Sequence, residues 1–135
     1  MKLTTDMKRL ITENLAYIAT VDNDGNPDIG PKMSIRVYDD ETIVYDELTG
    51  KQTMANIENN GKAIIAVANE SEMSGYRFSG PTQIIREGAF FEDATKWSVD
   101  GKHPLPKAAG VMKIEKIWTL APGPTAGTPV TETEK

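Results

Sequence analysis

The sequence predicts a mainly β protein, a closed or nearly closed antiparallel β-barrel with short helices. Six segments rich in β-branched and aromatic residues are set apart by turn residues, helix-like stretches are few and short, and no strand–helix–strand rhythm runs along the chain. A barrel follows because closure removes the exposed edges that six short strands otherwise carry.

Thr5 can cap the first helix, with Asp6 in its first turn and Met7, Leu10 and Ile11 on one face, to an end near Asn14. The first strand covers 15–21, and the Asp24-Gly25 pair behind it favours the positive φ angles of a tight hairpin. Its return strand, 28–38, contains Pro31, which cannot donate to a ladder and marks an edge, a bulge or a ligand-facing stretch. A third strand spans 42–46. A second helix is expected over 52–60, with Met54, Ala55 and Ile57 apolar and Asn59-Asn60-Gly61 as a left-handed stop.

A buried strand at 62–68 precedes a polar loop, and the β region 76–91 is interrupted at Gly80-Pro81, as where a barrel strand bends sharply. Residues 93–100 are expected to form a helix carrying Trp97. The spacing of Val111, Ile114, Ile117 and Leu120 imitates a helix, but β-branching assigns them to a final strand that starts near Ala108. Beyond Pro122, Pro, Gly, Thr and Glu leave no periodicity. One domain is therefore expected over 1–122, with a flexible tail over 123–135.

With 135 residues, 39% of them hydrophobic, one core is expected. Twenty acidic against 15 basic residues give a formal net charge of -5, and the basic side chains are scattered. That distribution excludes a nucleic-acid partner held through its phosphates. With zero cysteines there is no disulfide, thiolate nucleophile or cysteine-ligated metal, and the lone His103 supports no metal site, so redox chemistry must come from a cofactor. No apolar leader opens the chain and no window approaches the ~18 apolar residues of a membrane span. A soluble cytoplasmic protein without a membrane partner is expected. No dinucleotide fingerprint, nucleophile elbow or phosphate-binding loop is present, and Glu87, Glu92 and Asp93 show no paired geometry, which leaves the catalytic residue unassigned.

The order of short motifs is more telling than any one of them. A capped helix, Ala19-Thr20-Val21-Asp22, Asp24-Gly25, Pro31-Lys32-Met33-Ser34, Tyr45-Asp46, Lys51-Gln52-Thr53-Met54-Ala55-Asn56-Ile57 and Tyr76-Arg77-Phe78-Ser79-Gly80 follow one another. Over about 3–123 this resembles the pyridoxamine 5'-phosphate oxidase-related, FMN-binding split-barrel family. The resemblance implies a six-stranded, antiparallel, Greek-key-like split β-barrel, FMN as cofactor, and a homodimer with FMN at its interface.

On the residues themselves, Lys51-Gln52-Thr53 stands at a helix start, where unpaired N–H groups, the helix dipole, a lysine and a hydroxyl suit a phosphate. The resemblance implies that this segment grips the flavin phosphate, that Pro31, Lys32, Met33 and Ser34 lie along the ring, and that Asp46 and Asn56 stand near it. Lys32 is then the charge that tunes the potential. Trp118, with Trp97, is a candidate to cover the ring across the interface, although core packing is the ordinary fate of a tryptophan. Two functions remain open: an oxidoreductase acting on a small substrate, and an electron carrier that needs a redox partner protein. A cofactor-free barrel is the plain alternative. The acidic C-terminal stretch lacks the basic substrate motif of the pyridoxamine 5'-phosphate oxidases themselves, so that reaction is not expected.

Overall fold

The computed structural model describes residues 1–131. In chain order its elements are α1 (Thr5–Glu13), β1 (Ala16–Val21), β2 (Pro27–Lys32), β3 (Arg36–Asp39), β4 (Thr42–Glu47), α2 (Gln52–Asn60), β5 (Ala63–Asn69), β6 (Ser74–Ser79), β7 (Thr82–Ile85), α3 (Ala89–Asp100), β8 (Ala108–Lys113) and β9 (Lys116–Thr119). The strands form two antiparallel sheets, ordered β2-β1-β5-β6-β9 and β3-β4-β8-β7. The fold is mainly β with short helices, the split-barrel arrangement. Nine strands appear among the described residues where six segments were expected, because three of the six pass from one sheet to the other. β2 runs on into β3, β6 into β7 and β8 into β9, and each corner breaks the ladder without breaking the apolar pattern.

The corners explain particular residues. Pro31 is tolerated because β2 is an edge strand of its sheet. At Gly80 the β6–β7 corner crosses the β8–β9 corner so closely that a Cβ would lie 1.8 Å from the carbonyl oxygen of Lys113. Two backbone bonds tie the crossing, Lys113 N–H to Pro81 at 3.1 Å and Glu115 N–H to Ser79 at 2.8 Å.

Three helix and strand limits differ from expectation. The first cap is Thr4 rather than Thr5, since the extended backbone of Thr4 lets its hydroxyl accept from the Met7 amide at 3.2 Å. The β region expected to reach residue 91 ends at Ile85, and α3 begins four residues before the expected 93. Gly88, at φ +91°, turns the chain there, and Phe90 is drawn against Tyr38 with ring centroids 4.7 Å apart. The stretch after 122 loops back onto β9 through residue 130: Val130 N–H bonds Ile117 at 2.8 Å, Gly127 N–H bonds Thr119 at 2.8 Å, and Trp118 bridges to Pro129. Val130 also packs against the core, so an apolar anchor holds a segment whose composition reads as tail. Residues 132–135 of that expected tail lie outside the described residues.

The barrel interior is filled by Ile18, Ile43, Tyr45, Ile65, Phe78, Met112 and Ile117, and α1 packs Met7, Leu10 and Ile11 into the same core. A second, smaller cluster of Val44, Ala94, Ala109 and Val111 fastens α3 to the outer face of β4 and β8. β4 is therefore buried on both faces, and the direction in which each of its residues points decides what it can do.

Candidate functional site

Cross-strand partners share a face of a sheet, so the pairing register sorts the candidate residues. Pro31 lies opposite Tyr17, which is 43% exposed, and points outward; Lys32 lies opposite Ala16, which is buried, and points into the barrel. On β4, Ile43, Tyr45 and Glu47 share the inward face, whereas Val44 and Asp46 face α3.

A cleft of about 190 Å³ opens beside β2, lined by Pro31, Lys32, Met33, Ser34, Leu48, Thr49, Trp97 and His103. It contains all four residues of the expected ring-facing segment. Trp97 and His103 form its far wall as a parallel stack, centroids 4.6 Å apart and planes 1° from parallel. Gly101 leaves room for this, since a Cβ there would come within 2.7 Å of the imidazole. His103, in the loop after α3, belongs to this wall; two aromatic residues separated by a helix end carry no local signal of stacking.

The helix start adjoins the cleft through Thr49 and Gly50. Unlike α1, α2 has no side-chain cap, and among the described residues no carbonyl or side chain accepts from the amides of Gln52, Thr53 and Met54. Lys51 is exposed there, and Gly50, at φ +67°, lies so close to Lys107 that a Cβ would meet its Cδ at 2.7 Å. Three open amides, the positive end of a helix dipole and two lysines fit a phosphate. Asp28 is the competing group, but it takes only the Thr53 hydroxyl, at 3.2 Å. The Gln52 side chain is turned away, donating to Asn56 at 2.6 Å.

Other expected residues are placed elsewhere. The Asp46 carboxylate is enclosed against α3, accepting from Ser98 at 2.6 Å and Arg36 at 3.1 Å, while its amide bonds the Ser34 hydroxyl at 2.9 Å. Burial pushes the Asp46 carboxyl above the ordinary carboxylate range, against the pull of those bonds. Asp46 thus fixes Ser34 and α3 and does not enter the cleft. Asn56 is buried and donates to Thr20 at 3.0 Å, which seats α2 on β1. Trp118 is on β9, four strand spacings of about 4.8 Å from β2, so it does not reach the cleft of its own chain. It does lie on the same outward row as Pro31, Tyr17, Ala66 and Arg77.

One group was missed in the sequence. Glu47 is wholly enclosed; its Oε2 accepts from the Gly50 amide at 3.1 Å and faces the Lys32 ammonium at 3.7 Å, while Oε1 has no partner among the described residues. The available signal was the alternation Ile43, Tyr45, Glu47, which carries the inward face one residue past the expected strand end.

Two sheets joined by three bent strands, with an open helix start beside an aromatic-walled cleft, define a small split-barrel protein. Residues 3–121 match the model of the pyridoxamine 5'-phosphate oxidase family, and the chain belongs to that family. HupZ of group A Streptococcus is 47% identical over 93% of this chain and 99% of its own, with a TM-score of 0.85. An uncharacterised protein of Methanocaldococcus jannaschii is 33% identical over 94% of this chain and 87% of its own length. An FMN-binding protein of Syntrophomonas wolfei, 23% identical over 84% of this chain and 82% of its own, has a TM-score of 0.69, a likeness of fold. No helix among the described residues is long and apolar enough to cross a membrane.

Proposed function

We propose that this chain binds FMN and acts, as a homodimer, as an oxidoreductase on a small substrate. The observation that carries the reading is the uncapped start of α2, with three unpartnered amides beside the cleft that Pro31–Ser34 line. The amides of Gln52, Thr53 and Met54 with Lys51 would hold the phosphate, joined by the Thr53 hydroxyl once it turns from Asp28 to the anion. The Pro31 to Ser34 backbone and the Trp97–His103 wall would receive the ring. When bound, the flavin supplies the electron transfer, and the protein controls access and potential.

The outer face of the β2-β1-β5-β6-β9 sheet supports the dimer. Tyr17, Ile29 and Ile64 lie exposed on it, with Leu15 just before β1 and Met33 just beyond β2, a larger apolar surface than isolated exposed side chains make. Pairing two such faces would bring Trp118 of each chain toward the other's cleft.

The test is a titration of the purified protein with FMN and with riboflavin. Thr53→Ala is expected to weaken FMN about tenfold and riboflavin hardly at all, the size of one hydrogen bond to a charged group. Unchanged FMN affinity would move the phosphate site elsewhere. A second reading, an electron carrier with no substrate of its own, is favoured by the small cleft, which leaves little room beside a tricyclic ring. Turnover with reduced nicotinamide and a small acceptor supports the enzyme; reduction that requires a protein partner supports the carrier.

A further inference from the structure

We propose that Glu47 is a positioning residue for the ring end of this site, holding the Lys32 ammonium beneath the cleft and the Thr49–Gly50 turn at its mouth. The inference rests on the FMN reading and adds to it the group that sets the charge met by the reduced flavin.

Three contacts converge on one oxygen. Glu47 Oε2 accepts from the Gly50 amide at 3.1 Å and the Thr49 hydroxyl at 3.4 Å, and stands 3.7 Å from Lys32 Nζ. Lys32 and Thr49 line the cleft, while Gly50 leads into the helix start, so one carboxylate joins the ring end to the phosphate end. Lys32 Nζ is also 5.2 Å from the centre of the Tyr45 ring, which fixes it from a second side.

Stability alone does not account for this arrangement. Glu47 is 0% exposed, and among the described residues neither its Oε1 nor the Tyr45 hydroxyl, also buried, has a partner. Such groups cost free energy in an interior, and an apolar pair of similar shape is commonly at least as stable as a buried ion pair. Burial raises the Tyr45 phenol far above its ordinary range, with Glu47 adding to the shift, so Tyr45 stays neutral beside the Lys32–Glu47 pair.

The sign of the effect follows. Two-electron reduction of flavin with uptake of one proton leaves an anion, which a nearby cation stabilises and a nearby carboxylate opposes. In the native pair the two nearly cancel. Glu47→Gln keeps the shape and an acceptor for Gly50 but leaves Lys32 unbalanced, and Lys32→Gln does the reverse.

The experiment measures the midpoint potential of bound FMN by dye equilibration in the wild type, E47Q, K32Q and the double variant, with thermal stability alongside. E47Q is expected to raise the ratio of reduced to oxidised flavin at fixed poise about tenfold, about 30 mV for a two-electron couple. K32Q should lower it by a similar factor, and the double variant should return close to the wild type. A merely structural Glu47 predicts lower stability in E47Q with the potential of its bound flavin unmoved, and that result overturns the proposal. Should E47Q fail to fold, K32Q decides: an unmoved potential at normal FMN affinity overturns it too. A wild type that takes up no flavin overturns the cofactor reading and this inference with it, whereas equal potentials in loaded wild type and E47Q overturn this inference alone.

Discussion

Gly80→Ala is expected to cost at least about 3 kcal/mol and to leave little folded protein at 37 °C, the upper end of what overpacking does. A Cβ at this position would sit 1.8 Å from the Lys113 carbonyl oxygen, 2.9 Å from its carbon and 3.0 Å from the Glu115 amide nitrogen. All three are backbone atoms, so no side chain can swing aside. They belong to the residues through which two of the three sheet-crossing strands meet, bonded by the Lys113 amide to Pro81 and the Glu115 amide to Ser79. Moving them apart shifts β9 relative to β6, and with it Ile117 in the core and Trp118 on the outer face. Urea unfolding measures the effect; a loss below about 1 kcal/mol would mean the two corners are not in contact.

Ile29→Asp is expected to convert the proposed dimer to a monomer and to weaken FMN binding at least about a hundredfold, since a charge in an apolar interface is left unpaired. Ile29 is 69% exposed in the single chain, so the substitution does not disturb the barrel itself. Its row runs Ile29, Ala19, Ile64, Ser79, Lys116, beside the row from Pro31 to Trp118. A carboxylate there enters the apolar part of the proposed interface, and each cofactor would lose the wall that the second copy is proposed to supply. Light scattering with a flavin titration follows both effects. A dimer that persists in this variant with normal flavin uptake would place the interface on another face.

Much of this fold was legible because periodicity survives in the sequence. The alternation in 15–21 gives the inward set Ala16, Ile18 and Thr20, and Asn60-Gly61 stops α2 with Gly61 at φ +70°. The corners were only half legible. Gly80-Pro81 announces a bend, but nothing local says that the strand beyond it joins a different sheet, which is a matter of pairing between residues far apart in sequence. The helix start was legible from Lys51-Gln52-Thr53, whereas the side-chain directions were not. Lys32 turns inward because it faces Ala16 across the ladder, and Asp46 turns toward α3 because its two neighbours on β4 face the core. The stack of Trp97 on His103, and the convergence of Lys32, Thr49 and Gly50 on Glu47, depend on packing that no single segment encodes.

The central claim is a phosphate grip at the start of α2 that distinguishes a flavin nucleotide from its dephosphorylated form. Competition between FMN and riboflavin for the purified protein tests it most directly. One FMN per chain and a preference of at least about a hundredfold over riboflavin are expected, the worth of about two charge-assisted hydrogen bonds. Equal affinity for the two, or uptake of neither, would contradict it.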